Sequence, residues 1–162
     1  MTGTGVPVSP SAEQLAHLRA RVRACFEAGA LASGAEVELA RHGEDFTELR
    51  QDPFMTGAYV RAARALGRTP EPRHGELMAS TDMGNVSHAV PTIHPTIGCE
   101  THGALQHTAE FAAHGTSEGA DRAVLDGALA LAGVGVELAT DGAQRRRLLE
   151  GVARRSREGA RP

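Results

Sequence analysis

Six of the chain's eight histidines lie between residues 74 and 114. A neutral imidazole is the commonest protein ligand for zinc, so this concentration could serve a metal site. The spacing matches no compact metal signature such as HExxH, and ordinary surface or hydrogen-bonded histidines explain it as well. The histidines concerned are His74, His88, His94, His102, His107 and His114.

Inside this band, the stretch "STDMGNVSHAVPTIHP" (residues 80–95) mixes polar side chains with short apolar runs. The mixture predicts strands interrupted by a site, with Asp82 directly after the apolar strand "GELMAS". Two prolines, Pro91 and Pro95, exclude a central ladder position, so "HAVPTIHPTI" is predicted as an edge strand or an extended segment. The alternative for Asp82, Asn85 and Ser87 is turn chemistry, in which short polar side chains bond to nearby backbone.

A second candidate is "QHTAEF", in which Glu110 follows His107 by three residues. A ligating histidine needs its second nitrogen held by a carboxylate or a carbonyl, and Glu110 could supply the carboxylate. Equally, Glu110 could simply open the next element of structure. The adjacent acids Glu44 and Asp45 lie in a connection and are predicted to be solvated rather than to act as a general base.

The bulk composition limits the partners and the compartment. The chain has 162 residues, 3% aromatic residues and a net charge of −3, so alanine, leucine and valine must pack a single thin core. All 17 basic residues are arginines, and most are scattered, so the net charge indicates no surface for nucleic acid or an anionic membrane. The one basic cluster, Arg145–Arg147 with Arg154, Arg155, Arg157 and Arg161, is expected to belong to a solvated final helix. Cys25 and Cys99 form no CxxC motif, and we find neither a signal segment nor a run of about 18 apolar residues. A reduced, cytoplasmic protein is expected.

The elements that must position these residues are predicted from caps and periodicity. A short strand is predicted at "AEVELA", and the helix after Ser117 places six apolar side chains on one face. These side chains belong to Val124, Leu125, Ala128, Leu131, Ala132 and Val136. Four helices are predicted: from Ser9 or Ser11 to Gly34, from Asp52 and Pro53 to Gly67, from Ser117, and from Asp141.

The motifs "STDMGNVSHAVPTIHP", "HTAEF" and "GTSEGADRAVLDGALALAGVGVELATD" together resemble the C-terminal part of the M-twenty family of zinc-dependent metallopeptidases. The likeness is to the amidohydrolase and aminoacylase branch, which includes aminobenzoyl-glutamate hydrolases and the peptidase-M-twenty domain-containing protein 2 type. Upstream, "HLRARVRACFEAGALASGAEVEL" is similar to the last helix and strand of that family's lid, or dimerisation, domain. The resemblance covers residues 11–155.

The resemblance implies a zinc-dependent amidohydrolase or peptidase that cleaves an amide bond in an N-acyl amino acid or a dipeptide at a two-zinc centre. On this basis His107 matches the family's last metal ligand. Asp82, Asn85 and Ser87 match a segment that lines the active-site cleft. The same comparison places His88 and His94 at neighbouring cleft positions.

The rest of the family's centre has no counterpart here, because the chain contains no His-x-Asp, Cys-Gly-His or Glu–Glu segment. One histidine cannot hold two zinc ions, so the chain alone is expected to be inactive, with no catalytic residue and without a full zinc complement. The resemblance implies an α/β fold class, as the last helix and strand of the lid plus the C-terminal half of the catalytic domain. The expected boundaries are a disordered start (1–10), the lid remnant (11–41), the catalytic half (42–158) and a tail (159–162).

Three interpretations remain open. The chain is a hydrolase fragment that arose from a misplaced start codon, a split gene or a decayed gene. It is instead a non-catalytic α/β module that binds a partner or assembles with a separate N-terminal half, or an unrelated small metal-binding protein. The fragment interpretation predicts exposed apolar surface, and hence a homo-oligomer or aggregation.

Overall fold

The computed structural model describes residues 11–71 and 81–159, and packing divides them into two units. The first unit contains residues 11–49 and 81–88, and the second contains residues 50–71 and 89–159. The described residues form six α-helices: α1 (Ala12–Ser33), α2 (Pro53–Ala65), α3 (Met83–Ala89), α4 (Ala109–His114), α5 (Glu118–Thr140) and α6 (Gly142–Gly159).

No β-strand occurs in these described residues, so the expected α/β fold class is wrong. In "AEVELA", Val37 and Leu39 are exposed and form no ladder. A strand needs a neighbouring strand to satisfy its backbone groups, and the described part of the first unit offers none. The second unit contains a single parallel bridge, between Gln51 and Thr92, that does not extend into a strand. The segments "GELMAS" and 1–10 lie outside the described residues.

Helix α3 overturns the expectation of a strand and turn for residues 83–89 of the stretch 80–95, whereas residues 91–95 are not helical and form only the bridge at Thr92. The hydroxyl of Thr81 accepts a hydrogen bond from the Met83 N–H at 3.3 Å, and the Val86 N–H donates to the Asp82 carbonyl at 3.2 Å. These bonds begin a helix in which Gly84 and Ser87, one turn apart, are buried. Gly84 and Ser87 are three residues apart, which is a helical spacing. Because neither residue is apolar, this spacing gave no hydrophobic pattern from which a helix could be predicted.

Helix α1 follows its predicted caps. The Ser11 hydroxyl accepts from the Gln14 N–H at 3.3 Å, and Gly34 ends the helix at a φ of 69°, where a side chain would be strained. The helix buries none of its own residues, and Phe26 is 52% exposed. It is held to the rest of the first unit by an ion pair between Arg19 and Asp45.

The caps of the second unit are also confirmed. Asp52 is the N-cap of α2 and Pro53 occupies the first turn, where its missing N–H costs nothing. The Ser117 hydroxyl caps α5 by accepting from the Ala120 N–H at 3.2 Å. At the start of α6, the Asp141 carboxylate accepts from the N–H of Gln144 at 3.0 Å.

Alanine and valine enter the core of the second unit as the composition predicts, but none of the buried residues described there is a leucine. Helix α2 packs along α5, and an added Cβ at Gly133 would lie 3.2 Å from the Ala62 Cβ. Such close approach places the two backbones near each other but buries little apolar area per residue. The core cluster consists of Ala58, Tyr59, Ala63, Ile93, Ala130 and Val134.

The face of α5 that carries the predicted apolar pattern is turned outward. Val124, Leu125, Leu131 and Val136 are 70%, 64%, 47% and 64% exposed, respectively. The helix instead buries Ala123, Ala130 and Val134 on the side of α2. By length and composition, α5 is the one helix of the described residues that is long and apolar enough to cross a membrane.

Asp52 connects three segments of the second unit, and its side chain is only 5% exposed. Its Oδ1 accepts from the Met55 N–H at 3.0 Å, and the Arg147 guanidinium of α6 binds both oxygens, at 2.7 and 2.9 Å. The Asp52 N–H donates to the Thr92 carbonyl at 2.8 Å. Two parallel charge-assisted bonds fix the angle between the partners as well as their distance.

Opposing influences act on the pKa of Asp52. Burial by itself would raise the pKa, but the hydrogen bonds from Arg147 and the Met55 N–H outweigh it and hold the pKa below its ordinary value. The same pairing raises the pKa of Arg147, whose guanidinium also lies 5.7 Å from the centroid of the Phe54 ring. The ionised pair is therefore the stable form in the folded protein.

Replacing Asp52 should separate its two roles. Asp52→Asn keeps a good helix cap and loses the charged pair, whereas Asp52→Ala loses both and should cost about 2 kcal/mol of unfolding free energy. Denaturant unfolding followed by circular dichroism measures the difference. Arg61→Ala, which removes an exposed ion pair with Glu137, is the control and should cost less than about 1 kcal/mol. Equal losses for Asp52→Ala and Arg61→Ala would contradict a central role for Asp52.

The lowered pKa of Asp52 gives the charged pair a defined pH dependence. Its contribution is fully present above the unfolded pKa of about 3.9 and is lost as the pH falls through the lower folded pKa. The gap in unfolding free energy between the natural chain and Asp52→Asn should therefore close at acid pH. Unfolding curves for both proteins from pH 7 to pH 2.5 measure this gap, and a constant gap would refute the assignment.

Candidate functional site

In the first unit, Asn85 uses its whole side-chain amide to hold the segment 45–48 against α3. Its Oδ1 accepts from the N–H and the hydroxyl of Thr47, at 2.8 and 2.9 Å. Its Nδ2 donates to the Asp45 carbonyl at 2.9 Å. Two donors facing one atom and a carbonyl facing the other fix the orientation of the amide. The side chain is thus bonded to a segment about 40 residues upstream, and not to the nearby backbone that turn chemistry would use.

Gly84 permits the close approach of this segment. A Cβ built at Gly84 would lie 1.9 Å from the Thr47 carbonyl oxygen, far inside any real contact. The obstacle is a backbone atom, so no side-chain movement could relieve it. Sequence reasoning gave Gly84 no role. The signal that could have found it is a glycine inside a helix, where glycine is otherwise unfavourable.

Ser87 and His88 complete the contacts of α3. The Ser87 hydroxyl is fully buried and donates to the Gly84 carbonyl at 2.6 Å. The His88 Nε2 lies 3.1 Å from the Glu48 carbonyl oxygen and 3.3 Å from the Glu48 carboxylate. A carbonyl oxygen can only accept, so Nε2 carries the hydrogen and Nδ1 is the nitrogen with a lone pair. A metal could be bound here only through Nδ1.

Asp82 and Asp45, two acidic residues in the described part of the first unit, differ in their surroundings. Asp82 is exposed and receives only a local 3.3 Å hydrogen bond from the Thr81 hydroxyl. The hydrogen bond from Arg19 lowers the pKa of Asp45 despite partial burial, and Arg41 lies within 3.5 Å of the same carboxylate. A carboxylate stabilised in its charged form is a poor general base at neutral pH.

His94 and His107 belong to the second unit, and both are exposed. The His94 N–H donates to the Gln51 side-chain oxygen at 3.2 Å. His107 adopts a left-handed backbone, with a φ of 65°, directly before the α4 cap Thr108. Glu110 lies in the first turn of α4, where a negative charge favours the helix N-terminus.

The second unit brings together one pair from the histidine band. The rings of His102 and His114 have centroids 5.4 Å apart and planes inclined at 58°. Among the described residues, no three histidine, cysteine, aspartate or glutamate side chains converge to hold a metal ion. Cys25 and Cys99 are both free.

An open apolar groove also lies within the second unit, between α2, α5 and α6. Met55, Pro91, Leu138, Leu148 and Val152 contribute to its walls, and none of the sequence-predicted site residues lines it. Its polar contribution is the side chain of Arg145. The groove was not anticipated from the sequence, because its residues come from four separate segments.

The chain is similar to two curated hydrolases. It is 33% identical over 147 residues to the Xaa-Arg dipeptidase of Mus musculus, and 34% identical over 127 residues to the Xaa-Arg dipeptidase of Homo sapiens. These matches cover 89% and 76% of this chain, but 33% and 29% of the two relatives. The chain thus spans about a third of the length of the curated relatives it matches. No family profile matches it.

The resemblance to M-twenty metallopeptidases is supported at this coarser level. The similarity is to dipeptidases, and it extends over most of the chain. Because the longer match spans 89% of the chain, it includes α2, α3, α4 and α5 whichever end is left unmatched. The residues that carry the motifs are therefore part of the similarity.

The close contact at Gly84 yields a sharp prediction for the first unit. Gly84→Ala should destabilise it by about 2 kcal/mol, because the added methyl group meets a backbone carbonyl. Gly29→Ala in α1 is the matched control, since nothing lies within 4 Å of its added Cβ, and it should stabilise by about 0.5–1 kcal/mol. Hydrogen exchange at the Thr47 amide and denaturant unfolding measure the change in stability for both variants. Stabilisation by both variants would contradict the contact.

Proposed function

We propose that this chain is the counterpart of the C-terminal part of an M-twenty family dipeptidase, and that it does not hydrolyse amide bonds by itself. The identity of 33–34% to Xaa-Arg dipeptidases along most of the chain supports the proposal. Xaa-Arg dipeptides and N-acyl amino acids are the substrate classes it suggests. In this proposal Asp82, Asn85, Ser87, His88 and His94 border the cleft.

Zinc is the cofactor that the proposal implies, with His107 as a ligand. An exposed imidazole in a tight turn is open to a metal, but no second and third ligand converge on it within the described residues. The described residues therefore do not fit a complete zinc site. When bound in a complete site, zinc polarises the scissile carbonyl and supplies hydroxide. We assign no step of that chemistry to this chain.

What the chain's own residues can do is limited by their contacts. Asn85 and Ser87 hold α3 and the segment 45–48 in place, so in this proposal they shape the cleft instead of touching the substrate. Asp82 is exposed and could face a ligand. His88 can offer an N–H to Glu48 and a lone pair at Nδ1 at the same time.

A non-catalytic binding module is a second candidate function. The specific observation that favours it is the exposed apolar face of α5, which a soluble protein seldom leaves without a partner. A binding module and an inactive counterpart of a dipeptidase predict the same absence of turnover. They differ in whether the polypeptide that corresponds to the other two thirds of a dipeptidase restores activity.

The test is an amide-hydrolysis assay on the full 162-residue chain with an Xaa-Arg dipeptide, with and without added zinc. We expect no turnover by the chain alone, because neither a base nor a complete ligand set is present. Adding the other two thirds of the mouse dipeptidase as a separate polypeptide should give zinc-dependent turnover that His107→Ala abolishes. His42→Ala, at an exposed histidine outside the band, is the control and should have no effect.

Two outcomes of this assay would overturn the proposal. Zinc-dependent turnover by the purified chain alone, lost in His107→Ala, would show a self-sufficient enzyme. Absence of turnover in the mixture, although the two polypeptides form a complex, would favour the binding module. Metal analysis after dialysis tests the third interpretation, because one zinc ion bound per chain alone would indicate a small metal-binding protein.

A further inference from the structure

The contacts of α5 with the rest of the described second unit gather on one side of the helix. A Cβ added at Gly127 would lie 3.7 Å from Ile97, and one at Gly133 would lie 3.2 Å from the Ala62 Cβ. On the opposite side, a Cβ added at Gly135 would meet nothing within 4 Å. The residues that α5 buries all lie on the contacted side, and they are Ala123, Ala130 and Val134.

The opposite side of α5, which we call the outward face, is apolar over about four turns. Because successive residues of an α-helix are about 100° apart, this face can be located from the buried residues. Every one of its residues is exposed, Leu125 by 64% and Leu129 by 57%. A helix that is apolar on both sides is typical of a protein interior. The outward face consists of Leu125, Ala128, Leu129, Ala132, Gly135, Val136 and Ala139.

The charges of α5 do not select a second copy as the partner of this face. Asp126 and Glu137 pair with arginines of α2 and of the segment that follows it, so both carboxylates belong to the contacted side. In the first turns, exposed side chains of both signs stand close together, and they are Glu118, Asp121 and Arg122. Such a mixed end gives no pattern by which two copies would recognise each other.

The outward face continues into the apolar groove between α2, α5 and α6. Ala139 belongs to both surfaces, since it is exposed on α5 and also lines the groove. Within the groove, Val90 and Leu149 are 37% and 65% exposed. The exposed apolar surface therefore includes a helix face and a groove built from separate segments. Two α5 helices paired along the outward face would leave the groove uncovered.

The dipeptidases that match this chain contain a partner of sufficient size. The mouse match takes up 89% of this chain, including α5, but only 33% of the relative. The rest of that relative is therefore about twice as long as the matched part. In the relative both parts belong to one polypeptide, so the counterpart of α5 folds beside the remaining two thirds.

We propose that the outward face of α5, together with the adjoining groove, is the surface against which the other two thirds of a dipeptidase docks. The proposal rests on the proposed function, in which this chain is the counterpart of the C-terminal part of such an enzyme. Helix α5 would then pack on α2 with one side and on the partner with the other. The partner's contact surface should be apolar, because the outward face offers neither a charge nor a polar side chain.

The composition of the outward face permits a close contact. The distance between packed elements depends on the side chains between them, so alanine and glycine at its centre allow the partner's backbone to approach. The larger side chains would lose their exposure to water, which stabilises the complex. These are Leu125, Leu129 and Val136.

A membrane fits this surface less well. The outward face extends for about 23 Å at 1.5 Å per residue, which is shorter than a hydrocarbon core of about 30 Å. A spanning α5 would also bring the carboxylates of Asp126 and Glu137 into lipid, at a high cost. A helix that lies on lipid has a basic, solvated side opposite its apolar one, whereas that side of α5 forms the core with α2.

Co-expression of the full chain with the other two thirds of the mouse dipeptidase tests the proposal, with purification through a tag on the chain. The natural chain should retain the second polypeptide. Ala132→Arg should lower the retained amount roughly tenfold or more, because it places a charge at the centre of the contact. Leu125→Gln, which removes apolar area without adding a charge, should lower it several-fold.

The matched control is Ala143→Arg, which should retain the second polypeptide as the natural chain does. Ala143 is exposed and lies on the side of α6 opposite the groove residues Leu148, Leu149 and Val152. Circular dichroism of the purified chains should show the same helix content in all variants, since each replaced side chain is exposed. If Ala132→Arg alone loses helix content, the uncharged Leu125→Gln still decides the result.

A natural chain that retains nothing, or retention that is indifferent to both Ala132→Arg and Leu125→Gln, would overturn the proposal. A dimer of the natural chain alone that Ala132→Arg dissociates would assign the face to a second copy instead. Loss of vesicle binding in Ala132→Arg, with phosphatidylcholine–phosphatidylglycerol vesicles, would assign it to a membrane.

Turnover of an Xaa-Arg dipeptide by the purified complex separates this proposal from the proposed function. A complex that is active but indifferent to both variants would keep the proposed function and refute docking on α5. A complex that both variants weaken, but that is inactive, would keep the docking surface and refute the proposed function.

Discussion

The buried carboxylate of Asp52 is the interaction on which the second unit depends. It caps α2, receives both arms of Arg147 from α6, and its backbone binds the segment that contains Thr92. Three of the six residues in the core that these segments enclose are alanine, which contributes little apolar area per residue. A directional, charge-assisted contact therefore fixes the helix geometry where side-chain volume alone would not.

The same scarcity of large buried side chains explains why the larger apolar side chains of α5 face outward. Ala123, Ala130 and Gly133 lie on the side that faces α2, where backbones approach closely, and the two mid-helix carboxylates of α5 meet arginines along the border of that contact. Small residues and paired charges thus occupy the intramolecular side. The larger apolar side chains are left for the outside, where another surface can cover them.

The helix ends could be predicted because caps are local chemistry. Ser11, Asp52, Ser117 and Asp141 each bond to a backbone N–H within three residues, so the sequence contains the whole interaction. Strand formation needs a partner that is distant in sequence, and this is why "AEVELA" was wrongly expected as a strand. The direction of the apolar face of α5 also could not be read from the sequence. Periodicity shows which residues share a face but not what that face meets.

The candidate site was only partly accessible to the same reasoning. The cleft residues came from resemblance to a family, and their roles remain predictions. The structure adds what the resemblance could not supply, namely the bonds that Asn85 and His88 make to the segment 45–48. Those bonds depend on a loop that lies about 40 residues upstream. No local sequence pattern predicts such a contact.

The contact between Gly84 and the Thr47 carbonyl has a consequence for how this protein can vary. Because the obstructing atom belongs to the backbone, no replacement at position 47 can make room for a side chain at position 84. Position 84 should therefore stay glycine without any compensating partner. Among sequences that keep this arrangement, it would be a fixed site that covaries with nothing, while Thr47 and Asn85 remain free to change together.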